Sequence, residues 1–133
     1  MKEYVGLDTG FFVKLLALKP EAVELHNQIA EGEIVGVVSV IVTFELKRLA
    51  MRGVVNRQGY QILEKSWDIL FQVEPVSKEL ALEAAALSHG TGLPAADAMI
   101  YTTYRKAGCS KIYTSDKDFL KVPRKQPKIV LLE

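Results

Sequence analysis

The apolar positions change their spacing at one point near the start of the chain. Tyr4-Val5-Gly6-Leu7 is a short unbroken run of the kind a buried strand shows, and it stops at Asp8-Thr9-Gly10. Beyond the break Phe12, Leu15 and Leu16 recur at helical spacing, which predicts a helix packed on that strand. Pro20-Glu21 opens a second helix with Ala22, Val23, Leu25, Ile29 and Ala30 as its inward stripe and Gly32 as its stop. Ile34 to Val38 is a largely β-branched run suited to a strand covered on both faces. Ser39 then caps a helix reaching about Arg52-Gly53. Asn56 to Phe71 is another helix, whose Tyr60, Leu63, Trp67 and Leu70 have the spacing of core residues rather than of a nucleic-acid platform.

Val73 to Val76 contains Pro75, so it reads as a short extended segment at an edge or an end. Ser77 starts an alanine-rich helix that should end near His89-Gly90, with Thr91-Gly92 as a loop. Leu93-Pro94 starts a further helix lasting to Ala107-Gly108. Lys111 to Thr114 and Ile129 to Leu132 are the last strands, separated by a proline-bearing loop. Strands alternating with helices, and no adjacent hairpin pair, predict a three-layer α/β/α domain around a mainly parallel sheet of about five strands. One domain over residues 1–133 is sufficient for a chain of this length.

Composition narrows the class without naming a function. Hydrophobic residues at 49% and charged residues at 25% are those of an ordinary globular domain, and no repeat or low-complexity stretch is present. The formal net charge of +1 excludes a global electrostatic argument for nucleic acid. The distribution is uneven, however: Lys111, Lys117, Lys121, Arg124, Lys125 and Lys128 face only Asp116 and Asp118 within their segment. That segment is either a solvated tail or a phosphate-facing patch. Cys109 is the sole cysteine, so neither an internal disulfide nor a cysteine-based zinc site is expected. No apolar stretch reaches membrane-spanning length and Met1-Lys2-Glu3 does not open a signal peptide, so a cytoplasmic protein away from membranes is expected.

Four carboxylates stand in unusual places. Asp8 and Asp116 follow strands, whereas Glu45 and Asp97 fall on the inward faces of helices, Glu45 with Ile41, Val42 and Leu49, and Asp97 with Leu93, Ile100, Tyr101 and Tyr104. Each has an ordinary explanation: Asp8 as a helix cap, Glu45 paired with Lys47 or Arg48, Asp97 favoured by the helix dipole, and Asp116 in a turn. Parallel α/β architecture gathers such positions at one sheet edge. Four carboxylates meeting there would repel one another unless a cation were present, and oxygen-only ligands select Mg²⁺ or Mn²⁺. Such a cluster suits phosphodiester hydrolysis.

In this light the blocks Asp8-Thr9, Ser39 to Leu46, Leu93 to Ile100 and Tyr113 to Phe119 resemble, in order, the signatures of PIN-domain nucleases, most of all the compact VapC-like toxins. The resemblance implies a Mg²⁺- or Mn²⁺-dependent endoribonuclease, usually a homodimer, held inactive by a cognate VapB-like antitoxin. It implies Asp8, Glu45 and Asp97 as metal ligands, Asp116 as the fourth acidic residue and Asp118 as an auxiliary one. Thr9 and Thr114 would orient Asp8 and its neighbours. One departure is Gly10, where the family often has Ser or Asn.

Lys14, Lys47, Arg48 and Arg52, with Arg57 beyond, are candidates to hold RNA phosphates or an acidic antitoxin segment, or else they form solvated faces. His26 and His89 read as surface or helix-end residues and not as general bases. Two competing readings are an RNA-processing PIN nuclease without an antitoxin, and a non-catalytic binding or receiver-like signalling domain. A receiver normally has an acidic pair after its first strand, where this chain offers Asp8 alone.

Overall fold

A computed structural model describes residues 1–133. The chain runs β1 (Glu3–Leu7), α1 (Thr9–Leu16), α2 (Pro20–Ala30), β2 (Ile34–Ser39), α3 (Val40–Met51), α4 (Arg57–Leu70), β3 (Gln72–Glu74), α5 (Lys78–Thr91), α6 (Ala95–Lys106), β4 (Lys111–Thr114) and β5 (Lys128–Leu131). The five strands form one sheet in the order β3-β2-β1-β4-β5, and every pairing is parallel. The short β3, followed by Pro75, lies at the edge, where a residue without an N–H interrupts no ladder.

Helices cover both faces. Adjacent strand residues point to opposite sides, so Gly6 of β1 faces Tyr104 of α6, whereas Gly36 of β2 shares its side with Leu7, Ile29 of α2 and Phe71. On the latter side Phe12 meets Phe11, Trp67 and Phe71 edge-on at centroid separations of 5.1, 5.1 and 5.5 Å. Tyr60, Leu63 and Trp67 are buried, as their spacing predicts.

The chain moves from β1 outward through β2 to β3 and then crosses back to β4 on the other side of β1. The switch of direction thus falls between β1 and β4. In an open parallel sheet the crevice at such a point, beyond the carboxyl ends of the strands, is where ligands collect. Asp8 follows β1 and Asp116 follows β4 there.

The structure corrects three local expectations. Helix α5 continues through Thr91 and ends at Gly92, whose φ of 76° is the left-handed cap that glycine adopts without steric cost, so the helix does not stop at His89-Gly90. Lys117–Lys121, expected only as a loop, winds into a short 3₁₀ helix capped by Asp116. His26 is neither a surface nor a helix-end residue: it stands mid-way along α2, half-buried, 6.1 Å between ring centroids from Phe71. Burial lowers its pKa, and its Nδ1 has no hydrogen-bond partner.

Candidate metal centre

Four segments far apart in the chain supply the walls of one cavity of about 330 Å³. Asp8, Thr9 and Gly10 come from the β1–α1 junction, Glu45, Arg48, Leu49 and Arg52 from α3 and its end, Asp97 from the first turn of α6, and Ser115 and Asp116 from the loop after β4. All four carboxylates that the sequence singles out therefore line the same space. Only one of the ten lining residues is hydrophobic, so the cavity is built to hold something polar.

Asp8 is 5% exposed. It stands at the N-cap position of α1, yet its side chain makes no capping hydrogen bond, so the cap reading does not hold. Its Oδ2 instead accepts from the Thr114 hydroxyl at 2.6 Å. Burial pushes the Asp8 pKa up to about 6 against the lowering effect of that hydroxyl, and the Glu45 and Asp116 charges add to the rise. Glu45 accepts from the Thr9 hydroxyl at 2.6 Å. It makes no pair with Lys47 or Arg48; Lys47 reaches across to Glu64 of α4 at 2.9 Å.

Asp97, Asp116 and Asp118 are closer still: one carboxylate oxygen from each lies within 4.8 Å of the other two. Burial raises the Asp97 pKa to about 7, with Asp116 the largest neighbouring charge and Asp8 and Glu45 contributing. Asp116 Oδ1 accepts from the Asp118 amide at 2.9 Å, and its own amide donates to Thr114 Oγ1 at 3.0 Å. Thr114 thus fixes Asp8 through its proton and the Asp116 backbone through its lone pair. Asp118 pairs with Lys121 at 3.3 Å and does not line the cavity wall.

Among the basic candidates, Arg48 and Arg52 line the cavity, and neither forms an ion pair with its carboxylates. Lys14 is half-buried on α1 and outside the cavity lining. Lys47 lies outside that lining: with Arg57 it lines a second depression beside Tyr60 and Glu64, where it pairs with Glu64 and approaches the Tyr60 ring at 5.6 Å.

Ser115 also lines the cavity; it falls within the Tyr113 to Phe119 block, but the sequence reading gives it no role. A Cβ placed on Gly10 would come within 2.0 Å of its hydroxyl oxygen, so glycine at position 10 is what admits the Ser115 side chain. Its place directly after the strand-end Thr114 and before Asp116, inside that block, is the signal that could have found it.

Two carboxyls raised toward neutrality by burial and mutual repulsion, in a wall of oxygen donors without His or Cys, fit a hard divalent cation. Asp8, Glu45, Asp97 and Asp116 are the residues that would hold it. Unit charges 4.8 Å apart, the outer limit among Asp97, Asp116 and Asp118, repel by roughly 3.5 kcal/mol at an effective dielectric near 20, before further solvent screening, and a dication would offset that.

Solved structures share this architecture. A toxin–antitoxin complex from Klebsiella pneumoniae matches with a TM-score of 0.68 at 22% identity, over 95% of each chain. VapBC2 from Rickettsia felis, bound to a DNA fragment from its promoter, matches at 0.74 and 14% identity over 98% of this chain and 99% of its own. VapC20 of Mycobacterium tuberculosis, a toxin that cleaves the sarcin-ricin loop, matches at 0.68 and 22% identity over 87% of this chain and 92% of its own. No curated protein sequence matches the chain. No helix is long and apolar enough to cross a membrane. The family model of the PIN domain matches residues 5–125, which takes in every wall of the cavity, and by that match the chain belongs to the PIN domain family.

Proposed function

We propose that this chain is a VapC-like toxin, an endoribonuclease that hydrolyses RNA phosphodiester bonds with Mg²⁺ or Mn²⁺ held by Asp8, Glu45, Asp97 and Asp116. The observation that carries it is the convergence of these four carboxylates on one polar cavity at the switch point of a PIN-family sheet. When bound, the ion supplies a nucleophilic water at neutral pH and charge stabilisation at the phosphate.

The remaining work belongs to the chain's own groups. Thr114 and Thr9 hold Asp8 and Glu45 in fixed orientations through 2.6 Å hydrogen bonds. Arg48 and Arg52, with no carboxylate within ion-pair distance, are free to receive phosphate oxygens at the cavity mouth. Ser115 offers a further hydroxyl to the same space. A VapB-like antitoxin as partner and assembly as a homodimer in the cytoplasm follow from the same reading. Toxin–antitoxin complexes among the structures of like fold support the antitoxin.

The purified chain should cleave RNA in Mn²⁺ or Mg²⁺ and stop in excess EDTA. Asp8→Asn and Asp97→Asn should abolish cleavage while retaining the far-UV circular dichroism of the wild type. Equal cleavage in EDTA would remove the proposal.

A further inference from the structure

The β1–β2 ladder breaks one step before its strands end. Even-numbered residues of β1 bond toward β4: the Asp8 amide donates to the Tyr113 carbonyl at 3.0 Å, and the Tyr4 carbonyl accepts from the Ser110 amide at 2.9 Å. Odd-numbered residues therefore face β2. The register ends at Gly6↔Val37, and one further step would set the Ser39 amide against the Leu7 carbonyl. Tyr104 fills that rung instead. Its hydroxyl accepts from the Ser39 amide at 3.0 Å and donates to the Leu7 carbonyl.

The phenol reaches this place because Gly6 leaves a slot. A Cβ at Gly6 would lie 2.3 and 2.4 Å from two carbons of the Tyr104 ring, which is fully buried. Both backbone groups are satisfied only through the inserted hydroxyl, and a buried backbone group left unpaired is costly.

Tyr104 and the two residues it joins adjoin three of the four segments that wall the cavity. Leu7 immediately precedes Asp8, Ser39 caps α3 by accepting from the Ile41 amide at 3.2 Å and so sets where the helix bearing Glu45 begins, and Tyr104 lies two turns along α6 from Asp97. We propose that Tyr104 is a positioning residue, whose hydroxyl holds the ends of β1 and β2 apart and thereby sets the distance across the cavity between the Asp8 and Glu45 segments. The 2.6 Å hydrogen bond from Thr9 to Glu45, which spans those two segments, depends on that distance. The consequence for ion binding rests on the function proposed above, but the geometric part does not.

Tyr104→Phe keeps the ring in the Gly6 slot and removes only the hydroxyl. The variant should fold, bind Mn²⁺ about tenfold more weakly, and cleave RNA with lowered kcat at unchanged KM. Its crystal structure should show the Ser39 amide bonded directly to the Leu7 carbonyl and the Thr9–Glu45 hydrogen bond broken. Ile100→Val, also on α6 and fully buried, should lower Tm without moving the Mn²⁺ affinity, which separates positioning from general loss of stability. If Tyr104→Phe unfolds, the titration is repeated on it in trimethylamine N-oxide, and on Gly6→Ala, which pushes the ring aside with its hydroxyl intact. Wild-type Mn²⁺ affinity in these variants, or an intact Thr9–Glu45 hydrogen bond in the Tyr104→Phe crystal, would overturn the proposal. Should the wild type itself bind no Mn²⁺, the metal reading fails, and the crystal geometry alone still decides the role of Tyr104.

Discussion

The two ends of α6 treat charge in opposite ways. At the C-terminal end Arg105 and Lys106 pair with Glu83 of α5 at 2.6 and 3.1 Å, and the Lys106 hydrogen bond, followed by the two positive charges, holds the Glu83 pKa below its usual value. At the N-terminal end Asp97 faces Asp116 and Asp118, and its pKa rises. The helix dipole favours the sign found at each end, so the helix does not account for the difference. One carboxylate has met its cation within the chain. The other is surrounded by carboxylates, although the chain carries 17 basic residues. An acidic group raised in this way by burial and like charge holds its proton more tightly, and it is the arrangement on which the proposed cation site rests.

The comparison breaks most sharply on activity. Asp97→Asn should lower RNA cleavage by at least roughly 100-fold, whereas Glu83→Gln on the helix that meets the other end should leave it unchanged. Parallel kinetics on the two variants check this.

The next effect is on stability against pH. Asp8 has a pKa of about 6 folded and an ordinary value of 3.8, so between these the folded state binds more protons than the unfolded one. Without metal, stability therefore falls as pH rises through this window. The shift corresponds to at most about 3 kcal/mol for Asp8. Metal-free Asp8→Asn should accordingly unfold at higher denaturant than the wild type at pH 8, with the gain absent below the ordinary carboxylate range. Urea titrations at the two pH values test the sign.

Smaller changes should follow at the cavity mouth. Arg48→Ala and Arg52→Ala should each raise the KM for RNA several-fold and reduce the salt dependence of binding by about one ion, with Mn²⁺ affinity preserved. Smallest of all, Glu83→Gln should shift Tm only slightly, since its partners are solvent-exposed.

Much of this was legible in the sequence because the relevant signals are local. Strand runs, helix stripes, caps and glycine stops define the element order and the parallel sheet. The inward placement of Glu45 and Asp97 shows as a conflict between polarity and periodicity. Pairings across the sheet edge were not legible: nothing in the sequence says that Thr9 serves Glu45 while Thr114 serves Asp8, since both hydroxyls stand near strand ends. Lys47 illustrates the same limit in its partner: nothing in the sequence says that it pairs with Glu64 of the next helix. The roles of Ser115 and Tyr104 are hidden from the sequence because each depends on a distant glycine, Gly10 and Gly6, for the room its side chain fills.

The most direct test is calorimetric titration of Mn²⁺ into the metal-free protein near pH 6.5, repeated in buffers of different ionisation enthalpy. Binding should be accompanied by proton release, because the raised carboxyls of Asp8 and Asp97 must ionise to accept the cation, and Asp97→Asn should reduce both the affinity and the number of protons released. Absence of binding, or binding of wild-type strength and proton release in Asp97→Asn, would contradict the assignment of these carboxylates to a metal.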